Sequence, residues 1–91
     1  MVRSFKNKHL QRFHEKGQVG RINPQHRDRV RRILDMLEVT ESLDDLKVPG
    51  FMFHKLESKP TRYSMKITGN WRITFEWKNG DVVNVNYEDY H

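Results

Sequence analysis

Ninety-one residues with 17 Lys/Arg against 12 Asp/Glu carry a formal net charge of +5 and a pI near 9.7, a balance that points to a polyanionic partner. The absence of cysteine excludes disulfide staples and zinc–thiolate sites, and a reducing, cytoplasmic compartment is expected. No apolar stretch approaches the length of a membrane span, and the opening residues run into charged sequence too early for a signal peptide, so no membrane association is expected. A chain this short is expected to make one small domain over residues 1–91. Its five Phe, three Tyr and two Trp must then supply much of the buried area.

Residues 2–5 suit a short first strand. Residues 8–16 read as a short helix, with Leu10 and Phe13 three apart and Gly17 as its C-terminal stop. Asn23-Pro24 is a helix start, an N-cap followed by proline at the first helical position. Val30, Ile33, Leu34 and Leu37 then recur at helical spacing, which predicts one apolar stripe on a helix reaching about Glu38. Residues 42–46 suit a further helical turn ahead of the Pro49-Gly50 turn.

Beyond Phe51 the period changes to two. Tyr63, Met65 and Ile67 alternate with polar residues, as do Trp71, Ile73, Phe75 and Trp77, and then Val83, Val85 and Tyr87. Gly69-Asn70 and Asn79-Gly80 separate these runs, and the second pair is a strong hairpin signal. The predicted fold class is therefore α+β, with N-terminal helices packed on one face of a twisted antiparallel sheet of about four strands. The Trp71/Phe75 face is expected beneath the helices. Lys66, Arg72, Thr74 and Asn84 are expected to be exposed or to line a groove on the other face.

The charge is unevenly spread. Residues 1–32 hold ten Lys/Arg against only Glu15 and Asp28, whereas the remainder is net acidic. Such a basic arm favours a nucleic-acid surface over an ordinary solvated helix face. Arg3, Lys6, Lys8, Arg12, Lys16, Arg21, Arg27 and Arg31, joined by Lys66 from the sheet, are the expected contacts to such a partner, with DNA, RNA and the ribosome not distinguished by composition.

Two segments, 69–75 (Gly-Asn-Trp-Arg-Ile-Thr-Phe) and 86–91 (Asn-Tyr-Glu-Asp-Tyr-His), resemble the HigB toxins of the RelE-like superfamily, as do Arg3-Ser4-Phe5 and Glu15-Lys16-Gly17. The resemblance implies a RelE-like fold and a cytoplasmic toxin of a type II toxin–antitoxin pair. It implies an endoribonuclease acting on mRNA in the ribosome, in contact with ribosomal RNA. It also implies a HigA-like helix-turn-helix antitoxin, through whose complex alone operator DNA is bound.

RNA can be cut without a metal because its own 2′-hydroxyl is the nucleophile. The protein must then withdraw that proton, stabilise the phosphorane-like transition state and protonate the leaving oxygen. The resemblance assigns these tasks to His54, Lys59, Arg72, Asp89, Tyr90 and His91, with no cofactor and no metal. Arg72 suits a clamp on the scissile phosphate. His91 suits an acid or a base, Asp89 an orienting group or an RNA contact, and Tyr90 a stacking or hydrogen-bonding group. The pattern breaks at residues 57–62, where the family's loop lysine aligns with Glu57. Lys59 is the substitute, with Lys55 and Arg62 as fallbacks.

His9 and His14 are five apart and do not form the i, i+4 pair of a zinc helix. The alternative reading is an RNA- or ribosome-binding inhibitor of translation that does not cut. A DNA-binding factor is disfavoured because no second recognition helix follows residues 23–38 after a short turn.

Overall fold

The computed structural model describes residues 1–90. Helix α1 (Lys8–Lys16) starts where the Asn7 side chain accepts from the His9 and Leu10 amides at 2.8 and 3.1 Å. It ends at Gly17, whose φ of 68° places it in the left-handed region that glycine adopts without a Cβ penalty. Asn23 caps as expected, accepting from the Gln25 amide at 2.9 Å. Its proline, however, opens a 3-10 turn (Pro24–His26), and the α-helix proper, α2 (Arg27–Val39), follows. Residues Leu43–Leu46 form a second 3-10 turn closed by a Ser42/Asp45 capping box.

Four strands follow: β1 (His54–Lys55), β2 (Tyr63–Thr68), β3 (Trp71–Lys78) and β4 (Asp81–Asp89), antiparallel in the order β1-β2-β3-β4. This is the α+β arrangement that the two periodicities predict. At the β3–β4 hairpin, Asn79 and Gly80 both have positive φ (53° and 83°), the conformation that suits a two-residue turn between twisted strands. A bulge sets Asn84 and Val85 opposite Phe75, with Asn84 at φ 53°. The segment expected as a first strand instead makes two isolated parallel bridges to β4, Val2 to Val82 and Phe5 to Val85. It still covers the β4 edge through four backbone hydrogen bonds, among them Arg3 N–H to Val82 O and Lys6 N–H to Val85 O, both at 2.8 Å.

Leu10, Phe13, Val30, Ile33, Leu34 and Leu37 from the helices meet Met65, Ile73, Phe75, Val82 and Val85 from the sheet in one buried core. At its margin Phe53 stacks on Tyr63 with ring centroids 5.6 Å apart. Glu38 ties three elements together by accepting from the Val2 amide at 3.0 Å and meeting His14 Nε2 at 3.1 Å. Burial would raise its pKa, but the His14 and Val2 hydrogen bonds outweigh that and hold it below the usual carboxylate range. Among the described residues no helix is long and apolar enough to cross a membrane.

Candidate active site

Residues paired across a sheet share a face, so register alone defines the side opposite the helices. One row reads His54–Ser64–Thr74–Asn86, and the next reads Lys66–Arg72–Glu88. His54 and Arg72 therefore lie on one face, two strands and two residues apart, which is roughly 12 Å between Cα atoms. His54 is exposed on the edge strand.

The expectation for this face needs one correction. Thr74 has no solvent-exposed surface, and Lys66, Arg72 and Asn84 are half-buried. Arg62 covers Thr74 and Asn84: it folds across the sheet and is itself only 12% exposed in its side chain. Its guanidinium donates to Glu76 Oε2 at 2.7 Å, Thr74 Oγ1 at 3.0 Å and the Asn84 carbonyl at 2.9 Å. The Thr74 hydroxyl in turn donates to Glu88. Arg62 is thereby committed to the sheet, which removes it as a free cation for the loop.

The same anchor shapes the loop of residues 56–62. The Leu56 amide donates to Arg62 O at 2.8 Å, and the Arg62 amide donates to Ser58 Oγ at 3.1 Å. The loop then encloses an open depression of about 660 Å³ lined by Lys55, Leu56, Glu57, Ser58, Lys59 and Thr61. Lys55, Glu57 and Lys59 are all exposed on it.

Arg72 curls toward the β2–β3 turn, donating to the Gly69 carbonyl at 2.7 Å and the Trp71 carbonyl at 3.0 Å. The C-terminal segment comes to the same turn. Asp89 pairs with Trp71, and the Tyr90 amide donates to Asn70 O at 2.7 Å. The backbone of Asp89 and Tyr90 is thus fixed at the strand end next to Arg72, with both side chains exposed; by register Asp89 shares the Trp71 face, and Glu88 is the residue paired with Arg72. His91, and its expected place beside Arg72, lie outside the described residues.

The basic arm divides into two groups. Lys6, Lys8, Arg12, Lys16 and Arg21 are exposed, and Arg3 is exposed although it donates to Asp81 at 3.0 Å. Arg27 and Arg31 turn inward. Arg27 donates to the Ile22 and Val19 carbonyls, and Arg31 donates to the Phe13 carbonyl at 2.8 Å while lying over the Phe13 ring. Arg29 behaves similarly, donating to Lys66 O and Gly50 O with its guanidinium 3.7 Å from the Phe51 centroid.

Sequence reasoning missed two residues. Glu88 sits in the Arg72 row, and the alternation that sorted Val85 and Tyr87 to the core already put it on this face. His26 is 3% exposed, its Nδ1 2.6 Å from the Tyr87 hydroxyl and its ring tilted on Trp71. Burial pushes the His26 pKa down, and burial pushes the Tyr87 phenol up. Nothing in the periodicity marked that pair.

Residues 3–91 match the family described as RelE-like toxin of type II toxin–antitoxin system HigB. The chain belongs to this family. It is also 36% identical over 92 residues to Endoribonuclease HigB of Proteus vulgaris, with all of both chains covered. Residues 69–75 and 86–90 of this toxin meet at the β2–β3 turn.

Proposed function

We propose that this toxin cuts messenger RNA on the ribosome, with the RNA's own 2′-hydroxyl as nucleophile and no metal ion, and that a helix-turn-helix antitoxin restrains it. Endoribonuclease activity comes with the family and with the named activity of the Proteus relative. The observation that supports the catalytic part of this reading is the pinning of the Asp89–Tyr90 backbone to the turn where Arg72 points. A fixed guanidinium there suits the non-bridging oxygens of the scissile phosphate, whose charge grows in the transition state. Tyr90 and the adjoining His91 supply proton-transfer groups, and Asp89 a carboxylate to orient one of them. His54 faces the same surface from the edge strand. Once Arg62 is committed to Glu76, Lys59 and its fallback Lys55 remain as the exposed cations on the loop depression.

The exposed cations Arg3, Lys6, Lys8, Arg12 and Lys16 fit ribosomal RNA phosphates, and Arg21 a phosphate of ribosomal or messenger RNA, with binding that weakens as salt rises. This work is cytoplasmic, and operator DNA is engaged only through the antitoxin complex. A second reading, ribosome blockade without cutting, draws on Glu57, an acidic residue where the family resemblance implies a loop lysine.

The deciding experiment maps message 5′ ends on ribosomes, using an RNA with a single 2′-deoxy nucleotide at the mapped cut as control. Cleavage is expected for wild type, absent at the 2′-deoxy position and lost in Arg72→Ala. Cutting of the 2′-deoxy message sinks the mechanism, and no cutting by wild type supports blockade.

A further inference from the structure

On the helix side of the sheet, back to back with Arg72, lies a groove that the proposed cleavage does not use. It is an open depression of about 570 Å³ lined by Gly20, Arg21, Ile22, Asn23, Pro24, Arg27, Trp71 and Tyr87. Its aromatic wall is the Trp71–Tyr87 pair, stacked with centroids 4.8 Å apart and planes 28° from parallel. Both rings are half-buried, so part of each reaches the groove.

The walls are held in place. The Tyr87 hydroxyl is fixed by His26 Nδ1 at 2.6 Å and by the Asn23 amide, which donates to it at 3.3 Å. Arg27 clamps the opposite wall by donating to the Ile22 and Val19 carbonyls. A ligand would therefore meet an aromatic surface whose ordering cost has been met by folding.

Arg21 stands exposed on the rim, and it also lines an adjoining depression with His9, Arg12, Gln18 and Gly20. Arg21 and Arg12 line this path, with Lys8 beside them. Partial burial, and then the charges of Arg21, Lys8 and Arg12, push the His9 pKa down. An aromatic wall with cations along the rim is the chemistry that holds single-stranded nucleic acid, by stacking on the base and pairing with the phosphate.

We propose that this groove is a nucleobase subsite for the RNA strand, in which a base flanking the cut lies against Trp71 and Tyr87 while Arg21 holds a neighbouring phosphate. Trp71 and Arg72 are consecutive on β3, so one strand end presents the base surface on one face and the phosphate clamp on the other. The strand passes from one to the other around the Gly69-Asn70 turn. Stacking accepts any base, so the subsite sets position along the message more than sequence. This inference rests on the reading of the toxin as an RNA cutter.

The test is a titration of the toxin with short, uncleavable 2′-O-methyl RNAs carrying 2-aminopurine at each position in turn. Quenching is expected at one position. Trp71→Leu should remove that quenching and weaken binding roughly tenfold, and Arg21→Ala should weaken it about fivefold. Trp77→Phe should match wild type. Arg72→Ala should keep the quenching while losing cleavage of an ordinary message, so cleavage retained in Arg72→Ala defeats only the catalytic reading. Absence of quenching at every position overturns the subsite. So does quenching by Trp71→Leu equal to wild type, or undiminished binding by Arg21→Ala, an exposed side chain whose loss leaves the fold intact.

Discussion

The two faces of the sheet are buried by different means. On the helix side, Phe75 is fully covered by apolar packing. One residue earlier on the same strand, Thr74 is just as fully covered, but by an arginine, and its hydroxyl both accepts and donates. The helix face draws its stability from area removed from water and tolerates no cavity. The open face gains little net energy from burial, since desolvating Arg62 and Glu76 offsets most of their attraction. What it gains is fixed geometry beside Arg72, with no buried polar side-chain atom left unsatisfied among the described residues.

Five substitutions sharpen that contrast. The largest stability loss is expected for Phe75→Ala, about 3–5 kcal/mol in urea unfolding, because its fully buried site cannot collapse onto the space left behind. Arg72→Ala is expected to lower cleavage by about 10²–10³-fold with an unchanged unfolding midpoint, and a fall in both together would place Arg72 among the structural residues. Arg62→Met should cost about 3 kcal/mol by leaving the Glu76 carboxylate mostly buried without its cation, with only the Asn84 amide still donating to it, and adding Glu76→Leu should restore most of it. Failure of the second change to rescue would show that the Thr74 and Asn84 bonds dominate.

The smallest effect concerns His26. Its folded pKa is depressed by burial, so the stability it supports is complete above its ordinary value of 6.5. That stability is lost as pH falls below 6.5 through the lower folded value. His26→Gln should flatten this part of the stability curve, and an unchanged slope would assign it to other groups.

Much of the architecture was legible because periodicity reports burial directly. The helical stripe of Val30, Ile33, Leu34 and Leu37 and the alternation around Ile73 and Phe75 both mark residues that are buried. Caps and turns were legible at Asn23 and at Asn79-Gly80 because those residue types meet local backbone demands. Arg27 and Arg31 illustrate the limit. A count of charges treats every arginine as surface, whereas these two spend their donors on carbonyls of neighbouring segments. The Arg62–Glu76 pair was equally hidden, since charged residues fourteen apart carry no sign of meeting.

The sequence by itself determined the α+β class, the hairpin order, the basic arm and the family, all of which depend on local pattern or on motifs read in line. Only the tertiary structure decided that Thr74 is buried beneath Arg62, that Tyr90 is tied to Asn70 beside Arg72, and that His26 and Tyr87 hold an aromatic groove open behind it. Those contacts join residues that are distant along the chain. They exist only after strand register and side-chain direction have been set by the packing of the whole molecule.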